Sequence, residues 1–236
     1  MLPQQLLMLK VAAGALADLQ SDTRQSNRTG VFVGVGLDLG TTHFHFRWSL
    51  LEKARRWNRE LGLNLGEADL NEWVNTLREA AGPALNANRT MGALGGIVAS
   101  RIAREFRIGG PSHTVQSEEA SGLRALEAGV RALQNKELDH VLVGAVDLAG
   151  ELRAVLGTHG SRPYSHSGNV VPFSHDADGT IPGEGAAAVV LKRLEDAIAD
   201  GDRIYSVIDG IGSAVGGESD SVHPREQTYL NALTRA

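Results

Sequence analysis

The residues best placed for chemistry lie in Gly110-Pro111-Ser112-His113-Thr114-Val115-Gln116-Ser117-Glu118-Glu119-Ala120-Ser121-Gly122-Leu123. This stretch reads as a short strand that turns a tight corner into a helix from about Glu119 to Gln134. Enzymes place nucleophiles at such corners, because the unpaired N–H groups of the first helical turn stabilise a thiolate or alkoxide. Here the corner holds two carboxylates, Glu118 and Glu119, and the 236-residue chain has no cysteine. Thiol catalysis, disulfides and thiolate metal sites are thereby excluded. Glu119 is expected to be structural: near a helix start it gains roughly 0.3–1 kcal/mol from the helix dipole, and it can pair with an arginine across an interface. Glu118 is expected to be the exposed one of the two. Ser121 has no matched base and reads as a small packing residue.

Other candidates have plainer readings. His43 and His45 alternate with Phe44 and Phe46, so both would share one face of an edge strand; no third ligand joins them, and no metal site is expected. Asp176-Ala177-Asp178-Gly179 fails the remaining positions of a calcium loop and reads as a turn held by its aspartates. Gly34, Gly36 and Gly40 lack dinucleotide-binding spacing. Glu184, between Gly183 and Gly185, reads as a structural carboxylate bonded to backbone or to a basic residue.

The elements that must position these groups alternate in type. A helix is expected over residues 3–19, its stripe formed by Leu6, Leu7, Leu9, Val11, Leu16 and Leu19. Buried strands are expected at Thr29–Gly36, Asp139–Val146 and Ala186–Leu191, with a further strand from Arg203 to Ile211. Helical patterns cover 48–62, 68–79, Met91–Phe106, a short stretch from Glu195, and 224–235. Residues 158–185 read as a long ordered loop. Strands alternating with helices indicate a layered α/β fold.

Composition narrows the partners. The net charge of −5 gives no basic face for nucleic acid. No apolar run approaches the roughly 20 residues of a membrane helix. The first ten residues lack the basic flank and cleavage site of a signal peptide, so a cytoplasmic protein is expected.

Four blocks then stand together: Met1-Leu2-Pro3-Gln4-Gln5-Leu6-Leu7-Met8-Leu9; Thr29-Gly30-Val31-Phe32-Val33-Gly34; Gly110-Pro111-Ser112; and Pro172-Phe173 with Ala177-Asp178-Gly179-Thr180-Ile181-Pro182-Gly183-Glu184-Gly185-Ala186. In order and spacing they resemble the M-D-P-Q-Q-R-L-L-L helix, the T-G-V-F-V-G strand, the G-P-S-x-x-V-D-T-A-C-S-S corner and the P-F-D-x-x-x-D-G-F-V-x-G-E-G-A loop of β-ketoacyl synthases of the thiolase fold. The resemblance puts Glu119 at the position of the nucleophilic cysteine, Gln116 where Asp is usual and Glu118 where Ala is usual. Ser117-Glu118-Glu119-Ala120-Ser121-Gly122-Leu123-Arg124-Ala125-Leu126 is similar to T-E-Q-A-G-G-L-D-A-L of chain-length factors, the non-condensing partners of ketosynthases. Ser-Glu-Glu-x-Ser-Gly also resembles the chain-length-factor domain of polyunsaturated fatty acid synthases.

The family's H-G-T-G-T loop, its second histidine and its first glycine-rich strand have no counterpart here. The resemblance therefore implies a thiolase-like layered αβαβα fold, incomplete at both termini, with residues 1–236 forming part of a longer domain. It implies a chain-length-factor-type subunit of fatty acid or polyketide biosynthesis that pairs with an active ketosynthase and shapes the acyl tunnel. No cofactor of its own is implied; acyl groups would arrive on the phosphopantetheine of an acyl carrier protein. The alternative is an active or decarboxylating ketosynthase whose histidines lie outside this chain.

Overall fold

The computed structural model describes residues 3–19, 27–36, 43–82, 84, 86–148, 150, 152–171, 174–215 and 226–236. Strand β1 (Thr29–Val35) is buried at every position. A strand sealed on both faces needs apolar or small residues throughout, which is why Thr-Gly-Val-Phe-Val-Gly-Val shows no alternation. It pairs in parallel with β2 (Ser112–Val115) and with β3 (His140–Leu148). Strand β4 (Glu184–Leu191) joins β3 antiparallel, giving the order β2-β1-β3-β4.

Parallel pairing demands crossover connections, and helices supply them. Helix α1 (Pro3–Ala17) precedes β1. Between β1 and β2 come α2 (His43–Glu60), α3 (Glu67–Ala80), α4 (Ala87–Ala93), a 3-10 turn (Gly95–Ile97) and α5 (Val98–Glu105). Helix α6 (Ser121–Gln134) returns the chain from β2 to β3; α7 (Leu152–Ser161) follows β3, and α8 (Leu194–Asp200) and α9 (Glu226–Arg235) follow β4. On one face of the sheet, Met8 and Ala12 of α1 and Val98 and Ile102 of α5 close on Val31, Val33 and Leu142. On the other, Ala125, Ala132 and Leu133 of α6 close on Phe32, Val141 and Val143. Each large aliphatic side chain so buried contributes roughly 1.5–3 kcal/mol. Helices α2 and α3 form a hairpin with a small core of their own, Leu50, Ala54, Leu70 and Val74.

Several sequence expectations change. The buried seam of α1 is Gln4, Gln5, Met8 and Ala12, whereas Leu6 is exposed. The glutamine seam works because Gln5 Nε2 donates to the Leu94 carbonyl. His43 and His45 begin helix α2 rather than lying on a strand, since the helical spacing of Leu50, Ala54 and Trp57 overrides the short alternation; their side chains lie outside the described residues. Met91–Phe106 is not one helix: α4 ends at Ala93 and Gly95-Gly96 turns the chain before α5. The expected loop over 158–185 begins inside α7, and β4 starts at Glu184. Strand β4 is one of the sheet's two edges among the described residues, with Val189 exposed rather than buried. Residues 203–211 form no ladder, because no described strand lies alongside to pair with them. Gly40, Pro172 and Phe173 lie outside the described residues.

Two contacts fix the sheet. At Gly34 a Cβ would stand 2.5 Å from the Gly122 nitrogen and from the Ser121 carbonyl carbon, so the first turn of α6 rests directly on the β1 backbone. At the opposite end of the strands, Asp139 receives Arg28 Nε (2.6 Å) and Arg193 Nη2 (2.7 Å). Arg28 precedes β1, Asp139 precedes β3 and Arg193 follows β4, so one carboxylate ties three neighbouring strands. Hydrogen bonds from Arg28 and then Arg193 hold that carboxyl far below the ordinary carboxylate range.

Gly34→Ala is expected to destabilise the chain by about 1–3 kcal/mol through overpacking, read as a lower urea midpoint, while Gly185→Ala, with open space around it, leaves the midpoint unchanged. Asp139→Asn is expected to cost about 1–2 kcal/mol at neutral pH, the strength of charge-assisted bonds discounted for partial exposure. The folded-state pKa lies below the unfolded value of about 4, so the clamp stabilises above that pH and is lost as pH falls below it. The gap between wild type and variant in urea unfolding should therefore narrow from pH 5 towards pH 2; a constant gap contradicts the clamp.

Candidate functional site

The corner after β2 is built by backbone. Glu118 adopts φ +50, the left-handed region that side chains with a Cβ seldom occupy. Its carbonyl accepts the Ser121 N–H (3.1 Å) and the Ser121 hydroxyl (2.5 Å), while the Ala120 N–H donates to the Ser117 carbonyl (3.0 Å). These bonds wrap residues 117–121 into a turn that delivers the chain into α6. The helix begins at Ser121 with Ala120 as its cap, two residues later than expected. Glu119 thus stands just outside the helix.

The side chains separate into three roles. Ser121 is buried, and its Oγ accepts the Ser117 N–H (2.9 Å) while donating to the Glu118 carbonyl. Its proton points at a carbonyl rather than at a base, so the hydroxyl is a structural pin and the packing expectation holds. Glu118 shapes the backbone and faces solvent. Glu119 is also exposed, at 65%, and its Oε1 accepts Arg162 Nη1 at 2.6 Å. The expected arginine exists, but it comes from the same chain, just beyond α7, and not from across an interface. No sequence signal marked Arg162, which is 43 residues away and in no motif.

Two further carboxylates lie at this end of the sheet. Asp147 of β3 is pushed up in pKa by burial, then by Glu184 and Glu119. Glu184, at the start of β4, accepts the Gly150 N–H at 2.8 Å and is the structural carboxylate that its glycine flanks suggest. Asp178 accepts the Ser167 N–H at 3.0 Å, and hydrogen bonds from Ser165 and Ser167 bring its carboxyl down to about 2. Instead of closing a local turn as expected, Asp178 ties residues 176–179 to the segment at Ser167. Among the described residues no three His, Asp or Glu side chains converge as a metal cluster, and no helix is long and apolar enough to cross a membrane.

At the corner, then, the Ser121 hydroxyl donates to a backbone carbonyl and the Glu119 carboxylate holds a guanidinium. Ser121→Ala should cost about 0.5–1.5 kcal/mol by removing the hydroxyl's bonds to the Ser117 N–H and the Glu118 carbonyl; unchanged urea stability would contradict the pinning role.

Comparison with known proteins places this arrangement. The profile of the β-ketoacyl synthase N-terminal domain matches residues 1–197. The chain is 31% identical over 220 residues to a hybrid PKS-NRPS synthetase of Gloeophyllum trabeum, covering 92% of this chain and 12% of that protein. It is 33% identical over 236 residues to the phthioceranic/hydroxyphthioceranic acid synthase of Mycobacterium tuberculosis, covering 99% of this chain and 10% of the relative. The chain thus spans about a tenth of the length of these curated relatives. Among solved structures, the PfaC keto synthase–chain length factor is similar with TM-score 0.75 and 26% identity, covering 92% of this chain and 23% of its own. The ketosynthase from module 6 of the bacillaene synthase of Bacillus subtilis 168 is similar with TM-score 0.63 and 26% identity, covering 92% and 32%. The chain therefore belongs to the β-ketoacyl synthase family and has its thiolase-type layered α/β fold.

Proposed function

We propose that this chain is part of a chain-length-factor-type ketosynthase-like domain of fatty acid or polyketide biosynthesis, which pairs with an active ketosynthase and shapes its acyl tunnel. The observation that carries this reading is Glu119 at the corner, ion-paired to Arg162 in a chain without cysteine. A condensing enzyme of this family needs a thiolate to hold the acyl group and histidines for decarboxylation. A glutamyl carboxylate would form an acyl anhydride open to hydrolysis, and its charge would repel an incoming malonyl group. The neighbouring hydroxyl of Ser121 is consumed by two backbone hydrogen bonds. The likeness to a keto synthase–chain length factor supports the same reading.

On this reading Glu119 marks the nucleophile position without reacting, and Glu118 serves the backbone turn. The partner ketosynthase supplies cysteine and histidines, acyl groups travel on the phosphopantetheine of an acyl carrier protein, and the assembly works in the cytoplasm. Residues 1–236 are then one portion of a longer ketosynthase-like domain.

The full-length protein, incubated alone with acyl and malonyl carriers, is expected to form neither acyl-enzyme nor condensed product, and product should appear when the active ketosynthase is added. Condensation by the unmodified protein alone overturns the reading, and carbon dioxide release without condensation points instead to the decarboxylating alternative. Glu119→Cys is expected to make the protein acylatable, detected as a mass increase on the corner peptide.

A further inference from the structure

We propose that Glu119 anchors a strap: its carboxylate holds Arg162, and through Arg162 the cross-tied segments 162–168 and 178–180, against the β2–α6 corner. The proposal deepens the reading of Glu119 as a non-reacting group, by giving that group a task.

The two segments form a cross-tied unit. Tyr164 bridges to Thr180, and the Ser165 N–H donates to the Thr180 carbonyl at 2.8 Å. The Ser167 N–H donates to Asp178 Oδ2 at 3.0 Å. Gly179, at φ +143, lets the two limbs touch, since a Cβ there would stand 2.7 Å from the Ser165 nitrogen. At its start the Tyr164 N–H donates to His159 Nδ1 at 3.1 Å, and the Arg162 N–H to the Thr158 carbonyl at 2.7 Å. The unit therefore moves with the end of α7.

Among the described residues, apolar anchoring is weak in this region. Helix α7 has no buried residue, and Val171 and Ile181 are exposed. Among the described residues, the 2.6 Å contact between Arg162 Nη1 and Glu119 Oε1 joins the unit to the corner. Glu184, bonded to the Gly150 N–H, fixes the far end where β4 begins. A glutamine at residue 119, as in the chain-length factors that the corner resembles, would keep an acceptor but lose the charge that Arg162 meets. The strap accounts for a glutamate at this position in this chain.

The test is hydrogen–deuterium exchange of the full-length protein, followed in peptides covering 163–168 with the core peptide 141–146 as reference. Arg162→Ala and Glu119→Ala are each expected to speed exchange in 163–168 about two- to fivefold, the effect of losing one exposed ion pair. Glu119→Gln should fall between these variants and the unmodified protein. The charge swap, Glu119→Arg with Arg162→Glu, should restore slow exchange. Unchanged exchange in the single variants, or a swap as fast as either of them, overturns the strap. In the unmodified protein, 1 M sodium chloride should speed 163–168 but not 141–146; no response to salt overturns the strap even where a variant misfolds. This readout is independent of condensation, so the strap and the chain-length-factor reading fail separately.

Discussion

The backbone contact between Gly34 of β1 and the Ser121-Gly122 start of α6 governs the geometry of everything around the corner. Because no Cβ intervenes, the helix begins directly on the central strand, and the chain leaving β2 must reverse within a few residues to reach it. That reversal forces Glu118 into the left-handed region and directs the Ser121 hydroxyl into the turn. Glu119 is what remains on the outside. A position built to display one side chain thus displays a carboxylate.

The two ends of the sheet use charge differently. At the Asp139 end, two guanidiniums converge on one carboxylate, and Arg193 also donates to the Leu133 and Leu138 carbonyls, so charge there locks strand ends together. At the corner end, among the described residues, Arg162 is bonded to Glu119, while Asp147 feels the charges of both Glu184 and Glu119. Burial and like charge raise Asp147 instead of fixing it. The first end is a closed clamp, and the second keeps an exposed charge that can hold or release a loop.

Much of the fold was legible because its strongest elements carry their burial in composition. The β-branched, apolar and glycine-bounded run of β1 fits a strand covered on both faces, and the apolar residues of α6 recur at helical spacing. The misreadings have one cause: local pattern was overridden by what stands next to the segment. His43-Phe44-His45-Phe46 alternates like a strand but opens a helix whose later residues pack on α3. The Ile- and Val-bearing stretch 203–211 has strand composition but no described strand beside it. Leu6 is apolar yet exposed, while Gln4 and Gln5 are buried, because α1 turns its glutamines towards the sheet and the Leu94 carbonyl.

The absence of a thiol, the acidic corner, the layered α/β class and the likeness to β-ketoacyl synthases are all readable from the amino-acid order, since they rest on residue identity and short-range spacing. The contacts that the corner residues make become visible once the chain is folded. A hydrogen bond depends on where donor and acceptor meet in space, and Arg162 reaches Glu119 across 43 residues of chain with no local signal. The same holds for Ser121, whose hydroxyl is free in the sequence and fully engaged once the turn has closed around it.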